Sequence, residues 1–226
     1  MDATRILIAD DHEVVRKGIR AIVEKHPGWE VCGEAADGRK AVAMADELRP
    51  NVVVIDIGMP LLNGLEATRQ ILKNRPATRV LVLSVYESEQ LVEQVLEAGA
   101  RGYVLKSDAS RDLVSAVEEL ERDHTFFTSK VGQLVLETFL NKRPNDESRR
   151  SAGPLTSRER EVVQLLAEGK STKEVAVALN LSVKTAETHR SNIMRKLNVH
   201  SVSELVLYAV RNNIVQIEPP LANTGS

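Results

Sequence analysis

Three short runs of this chain are apolar at every position: Ile6-Leu7-Ile8, Val52-Val53-Val54-Ile55 and Val80-Leu81-Val82-Leu83. A strand with one wet face alternates apolar and polar residues. An unbroken β-branched run this short therefore predicts a strand covered on both faces. With two weaker runs, the predicted strands are residues 5–9, 30–34, 51–55, 80–83 and 102–105, and amphipathic helices are predicted over 14–25, 40–48, 64–73, 88–98 and 110–121. Strand followed by helix, five times over, predicts an α/β doubly wound fold around a five-stranded parallel sheet. In such sheets ligands bind beyond the carboxyl ends of the strands, so the chemistry is to be sought there.

The alternation stops near residue 123. Residues 124–153 read as a linker with one helix over 129–140, because Asn141 to Pro154 is polar, charged and proline-bearing. Residues 154–217 then predict an all-α four-helix domain, with 218–226 as a tail. Three of its helices open on a capping box, Thr156 with Glu159, Ser171 with Glu174 and Ser201 with Glu204, and a fourth starts at Ser182. At 226 residues the chain fits two domains.

No apolar run approaches the roughly 18 residues of a membrane span, and the first strand is too brief for a signal-peptide core. A cytoplasmic protein without a membrane partner is expected. The single cysteine, Cys32, excludes an internal disulfide and reads as a small buried residue in a reducing compartment. Residues 1–150 carry 21 Lys and Arg against 25 Asp and Glu, and residues 151–226 carry 9 against 7. That asymmetry is too mild to indicate nucleic-acid binding by itself.

The strand ends carry Asp10 and Asp11 after the first strand, Asp56 after the third, Ser84 after the fourth and Lys106 after the fifth. Singly, such an aspartate is commonly a helix cap and such a lysine a solvated charge. Together they form a crevice where three carboxylates repel one another. A hard divalent cation relieves that repulsion, and Mg²⁺ prefers oxygen ligands. One carboxylate then serves as nucleophile toward a phosphoryl group, with Lys106 supplying positive charge and Ser84 a hydrogen bond. A rival reading, a phosphohydrolase of the haloacid-dehalogenase type, needs an Asp-x-Asp pair on the first strand. Here the acceptor candidate Asp56 ends the third strand, and Gly58 stands where the second carboxylate belongs.

With Asp10-Asp11, Asp56-Ile-Gly-Met-Pro60, Asn63-Gly64, Ser84 and Gly102-Tyr-Val-Leu-Lys106, residues 6 to about 121 resemble the receiver domain of two-component response regulators. The resemblance implies a flavodoxin-like fold with Asp56 as phosphoacceptor. It also implies Mg²⁺ on Asp10, Asp11, Asp56 and the Gly58 carbonyl, and phosphoryl contacts from Ser84 and Lys106. Tyr103 is implied as an aromatic switch that reorients with Ser84, although an ordinary half-buried tyrosine fits the sequence equally. Ser107 departs from the family's proline, often preceded by a cis bond, so the loop geometry there is open. His12 receives no role.

In the C-terminal part, Ala186, Ile193 and Leu197 form an apolar stripe, while Lys184, Glu187, Thr188, Ser191 and Arg195 share the opposite helix face. Such a face of donors, acceptors and cations fits a DNA major groove, and also the exposed side of a protein-binding bundle. The segment from Leu155 to Leu197 resembles the LuxR-type helix-turn-helix domain through Gly169-Lys-Ser-Thr-Lys-Glu-Val-Ala176, Thr185-Ala-Glu-Thr-His189 and Ile193-Met-Arg-Lys-Leu197. A receiver followed by a LuxR-type domain is the architecture of the NarL/FixJ family. This implies a transcription factor rather than an enzyme, partnered by a sensor histidine kinase, double-stranded promoter DNA and a second copy of itself. The expected DNA contacts are Lys184, Thr185, Glu187, Thr188, Arg190, Ser191, Arg195 and Lys196. Val202, Leu205, Val206 and Ala209 on the last helix read either as domain core or as a dimer contact. His189 reads as a packed residue, and neither it nor His200 has partners at zinc-binding spacing.

Overall fold

The computed structural model describes residues 3–128, 131–133 and 155–216. It divides into two compact units, Met1–Ser157 and Arg158–Ser226. The first is a three-layer α/β unit built from β1 (Thr4–Ala9), α1 (Glu13–Val23), β2 (Trp29–Ala35), α2 (Gly38–Leu48), β3 (Val52–Asp56), α3 (Gly64–Asn74), β4 (Arg79–Ser84), α4 (Glu89–Glu97), β5 (Gly102–Leu105), α5 (Ala109–Glu121) and β6 (Phe126–Phe127). The strand order is β2-β1-β3-β4-β5-β6, parallel throughout.

The apolar runs are buried because their alternate side chains serve two cores. Leu7, Ala9, Val53, Ile55, Val80, Val82 and Tyr103 pack with α2, α3 and α4 residues such as Ala41, Ala45, Ile71, Leu91 and Val95. Ile6, Ile8, Val52, Val54, Leu81, Leu83 and Val104 face the other way, against Ile19 and Val23 of α1 and Leu113, Val117 and Leu120 of α5. Strand order reverses between β1 and β3, which places a topological switch point where the first two aspartates meet Asp56.

The sheet has six strands, not the expected five. Phe126 and Phe127 pair with Gly102 and Tyr103 inside the stretch read as linker. Two residues carry no periodicity, so their pairing leaves no pattern in the sequence. Of the linker helix expected over 129–140, residues 131–133 are helical and the rest lies outside the described residues. Cys32 is half-buried rather than buried. The β1–β2 register steps from Val31 to Gly33 and skips it, and burial, its largest influence, pushes its thiol up.

The second unit contains α6 (Ser157–Ala167), α7 (Thr172–Ala178), α8 (Val183–Leu197) and α9 (Val202–Arg211). Its core gathers Val162, Val163, Leu166, Val175, Ala176, Ala186, Ile193, Leu205 and Ala209. The Ser171–Glu174 capping box is complete. At α9 only half of the expected box forms: Ser201 accepts from the Glu204 amide, but the Glu204 carboxylate turns to the His200 amide at 2.9 Å. Asn180, between α7 and α8, and Asn198, at the end of α8, adopt left-handed φ values of 52°. Asparagine tolerates that region better than other side chains with a Cβ, so both turns are tight. No described helix is long and apolar enough to cross a membrane.

Candidate functional site

Parallel pairing brings the ends of β1, β3, β4 and β5 to one edge, and the residues singled out there converge. Asp10 is fully buried, Asp56 is 4% exposed and Ser84 is fully buried. Lys106, entering a 3-10 turn just after β5, reaches both acids: its Nζ lies 2.7 Å from Asp10 Oδ2 and 3.1 Å from Asp56 Oδ1. The geometry left open at Ser107 is trans, since no described peptide is cis.

One ammonium does not neutralise three carboxylates. Burial, chiefly, pushes Asp56 up to about 6, Lys106 pulls it back, and Asp10 and Asp11 push it further up. Burial opposes the charge on Lys106, but Asp56 and Asp10 outweigh it and raise its pKa. Asp10 Oδ2 and Asp11 Oδ1 are buried yet accept no hydrogen bond of acceptable geometry. Lys106 Nζ lies 2.7 Å from the first and His12 Nδ1 2.8 Å from the second. Buried, anionic and poorly bonded oxygens in a shared crevice fit a hard divalent cation. Among the described residues, the one group with suitable ligand spacing is Asp10, Asp11, His12 and Asp56, whose ligand atoms lie within 4.8 Å of one another. Gly58 follows in the β3–α3 loop and is half-buried.

The surroundings fix these groups. Arg16 donates from Nη1 to the Asp10 carbonyl at 2.7 Å and from Nε to Glu34 Oε2 at 3.3 Å, tying the β1–α1 turn to β2. Asn63 caps α3 by accepting from the Glu66 amide at 2.8 Å. The Gly64 amide donates to the Ile57 carbonyl at 2.9 Å. A Cβ on Gly64 would stand 1.9 Å from the Asp56 carbonyl oxygen, so only glycine permits this approach of α3 to β3. Leu61, in the same loop, has φ 66°, an unfavourable value for a branched residue. Tyr103 is fully buried, and its hydroxyl donates to the Tyr86 carbonyl. The Tyr86 amide in turn donates to Ser84 Oγ at 3.0 Å.

Sequence reasoning missed three participants here. His12 sits among the acids, where its position after two aspartates was the available signal. Arg16 and Leu61 act through backbone geometry, for which a single sequence carries no sign.

In the second unit, Lys184, Thr185, Glu187, Thr188, Ser191 and Arg195 are all exposed on α8, opposite the buried Ala186 and Ile193. Thr188 donates its hydroxyl to the Lys184 carbonyl at 2.9 Å. Arg195 Nη2 donates to Asn192 Oδ1 at 2.9 Å, adding exposed Asn192, which the sequence reading omitted. The remaining two expected contacts are less free. Arg190 is half-buried and reaches Thr172 Oγ1 at 3.4 Å, and Lys196 pairs with Glu159 of α6 at 2.8 Å. The dimer expectation needs correction. Leu205 and Ala209 are fully buried in the unit's own core, while Val202 is 42% exposed and Val206 half-buried. The i, i+4 pair in this stripe serves the core. Leu207, which was not anticipated, is 54% exposed.

Residues 6–118 match the family described as response regulator receiver domain, and residues 153–209 match bacterial regulatory proteins of the luxR family. The chain is 38% identical over 216 residues to the oxygen regulatory protein NreC of Staphylococcus epidermidis, covering 94% of this chain and 99% of that protein. It is 37% identical over 211 residues to the transcriptional regulatory protein LiaR of Bacillus subtilis, covering 93% and 99%. Among solved structures it is similar to RcsB from Salmonella enterica serovar Typhimurium, bound to promoter rprA in the presence of phosphomimetic BeF3−. The TM-score is 0.59 at 28% identity, covering 92% of this chain and 98% of that one. A switch-point crevice of aspartates with one lysine, an exposed polar face on α8 and matches along both units lead to one conclusion: the chain belongs to the NarL/FixJ family of response regulators, transcription regulators with a receiver domain and a LuxR-type DNA-binding domain.

Proposed function

We propose that Asp56 accepts a phosphoryl group from a sensor histidine kinase in the cytoplasm, and that this modification controls dimerisation and sequence-specific binding to promoter DNA. We take the receiver as residues 1–123, the linker as 124–153, the DNA-binding domain as 154–217 and the tail as 218–226. The observation that carries the reading is Lys106 held between two buried carboxylates, 2.7 Å from Asp10 and 3.1 Å from Asp56.

Asp10, Asp11, Asp56 and the Gly58 carbonyl would hold Mg²⁺, which supplies charge neutralisation at the phosphoryl oxygens when bound. An Asp56 carboxylate oxygen attacks phosphorus, forming an O–P bond as the P–N bond to the donor imidazole breaks. Asp56 enters this step as the carboxylate, the form able to attack. Lys106 offsets charge on the phosphoryl oxygens, and Ser84 donates its hydroxyl proton to one of them. Tyr103 reorients with Ser84 as the switch.

On α8, Lys184, Thr185, Arg190, Arg195 and Lys196 serve mainly the phosphates, while Glu187, Thr188 and Ser191 meet base edges. The bond from the Thr188 hydroxyl to its own helix leaves its methyl for thymine, and Glu187 accepts from a cytosine amino group. A second copy docks through the part of α9 left at the surface, Val202 and Val206.

Incubation with Mg²⁺ and a small acyl phosphate should add one hydroxylamine-labile phosphoryl group, and Asp56→Asn should abolish it. Selection from a random duplex library should yield a sequence preference that the phosphoryl donor strengthens. Retained modification in Asp56→Asn would move the nucleophile elsewhere, and a modified protein that selects no duplex would favour a protein-binding output.

A further inference from the structure

We propose that His12 is a direct ligand of the acidic site, giving it a nitrogen donor that favours borderline divalent ions such as Co²⁺ and Ni²⁺. This rests on the metal reading proposed above, which assigns the ion to Asp10, Asp11, Asp56 and the Gly58 carbonyl.

His12 Nδ1 stands 2.8 Å from Asp11 Oδ1 and 3.2 Å from Asp10 Oδ1. In an octahedral ion with bonds of about 2.1 Å, neighbouring ligand atoms are separated by about 3.0 Å. Both nitrogen–oxygen separations lie close to that edge, so an ion bound to Asp10 and Asp11 would meet Nδ1 with little movement of the ring. The backbone already fixes the residue: His12 is the N-cap of α1, and its amide donates to Asp10 Oδ1 at 2.9 Å. The side chain is 45% exposed, so the ring turns toward the ion without leaving a packed core. The neighbouring Asp10 Oδ2 is buried and faces Lys106 Nζ at 2.7 Å, so Oδ1 is the Asp10 oxygen on the His12 side.

Imidazole nitrogen strengthens sites for Co²⁺, Ni²⁺ and Zn²⁺, whereas Mg²⁺ holds water as readily in that position. An all-oxygen site discriminates less strongly for these ions.

The test uses the full chain with substoichiometric Mn²⁺ as a paramagnetic probe. Electron spin-echo modulation should show coupling to a coordinated imidazole ¹⁴N in the unmodified protein. That coupling should vanish in His12→Asn, whose asparagine remains a good N-cap. Competition titrations should show His12→Asn weakening Co²⁺ and Ni²⁺ by roughly tenfold or more, the scale of a lost metal-site partner. Mg²⁺ affinity should stay within about threefold. Mn²⁺ whose binding falls in Asp11→Asn but which shows no nitrogen coupling would overturn the role of His12 and leave the acidic site standing. Mn²⁺ that fails to bind, or that ignores Asp11→Asn, would overturn the metal site and the role of His12 with it.

Discussion

Replacing Gly64 with alanine should disable Asp56 without touching any charged group. The added Cβ would sit 1.9 Å from the Asp56 carbonyl oxygen, 2.8 Å from its carbonyl carbon and 3.0 Å from Ile57 Cα, whereas ordinary contact begins at 3.4 Å. All three neighbours are backbone, so no side chain can rotate away. The start of α3 is held from its other side by the Asn63 cap and by Thr68, whose hydroxyl donates to the Gly64 carbonyl at 2.7 Å. The end of β3 must therefore yield, and it must move by more than 1 Å. Overpacking of this kind costs about 1–3 kcal/mol, which lowers the midpoint by a few degrees to about 10 °C in a domain of this size. A misplacement of about 1 Å at the nucleophile costs roughly a hundredfold in rate.

The assay follows phosphorylation by a small acyl phosphate on phosphate-retarding gels, with thermal melts of the same samples. Gly18→Ala is the control: nothing lies within 4 Å of its added Cβ inside α1, and alanine should gain about 0.5–1 kcal/mol there. If Gly64→Ala were phosphorylated within about twofold of the unmodified rate and melted unchanged, the start of α3 would not set the position of Asp56.

Burial pushes the Tyr103 phenol up to about 12, above the ~10 of an unfolded tyrosine. Its contribution to stability is thus complete below about pH 10 and is lost as pH rises toward 12. Tyr103→Phe should show a smaller fall in its urea midpoint over that window, and equal falls would refute the assignment. Two positions that could hold an attacking water, Gly58 and the 37% exposed Tyr86, offer neither carboxylate nor amide. The phosphoryl group should therefore persist for minutes or longer, and Gly58→Asn with Tyr86→Glu should shorten its lifetime. On DNA, Glu187→Ala should relax preference at one position per half-site by ~1–3 kcal/mol, whereas removal of the exposed Lys184 in Lys184→Ala should weaken all sequences alike and lower the salt slope by roughly one. Uniform losses for both across a randomised library would show that Glu187 does not read bases.

The parallel sheet was legible because strands buried on both faces leave an unbroken signature, as in Val52 to Ile55, and because its chemistry lies at strand ends that the runs themselves mark. Asp10, Asp56, Ser84 and Lys106 could be placed together for that reason. The features that escaped notice depend on contacts between distant residues. Phe126–Phe127 pair with β5 through backbone groups that any two residues carry. Glu66 looks like a solvent-facing helix residue, yet it is buried in α3 with Arg69 at 3.2 Å. Lys196 shares its helix with the exposed polar face but turns toward Glu159. The stripe on α9 was visible in the sequence. Which of its residues the small domain buries depends on how α9 meets the other helices, and that selected Leu205 and Ala209.

The electrostatics of the crevice suggest why one phosphoryl group should change the state of the whole receiver. Asp10, Asp11 and Asp56 contribute three negative charges against the single charge of Lys106, leaving an excess of two that a divalent cation matches. The proposed phosphorylation would replace the Asp56 carboxylate by a group of charge near −2. Lys106, now shared between Asp10 and Asp56, would be drawn toward the new charge. Ser84 would respond to the same change: its Oγ accepts from the Tyr86 amide, and in the proposed mechanism its hydroxyl donates to a phosphoryl oxygen. Tyr103 lies within hydrogen-bonding reach of Ser84 and donates to the Tyr86 carbonyl, while the Tyr86 amide donates to Ser84, so both contacts converge on Tyr86 through the two peptides that flank its Cα. A shift of Ser84 toward the phosphoryl group would therefore pull on Tyr86. Tyr103 must follow or lose its hydrogen bond in a fully buried position, where an unpaired hydroxyl costs about 1–3 kcal/mol.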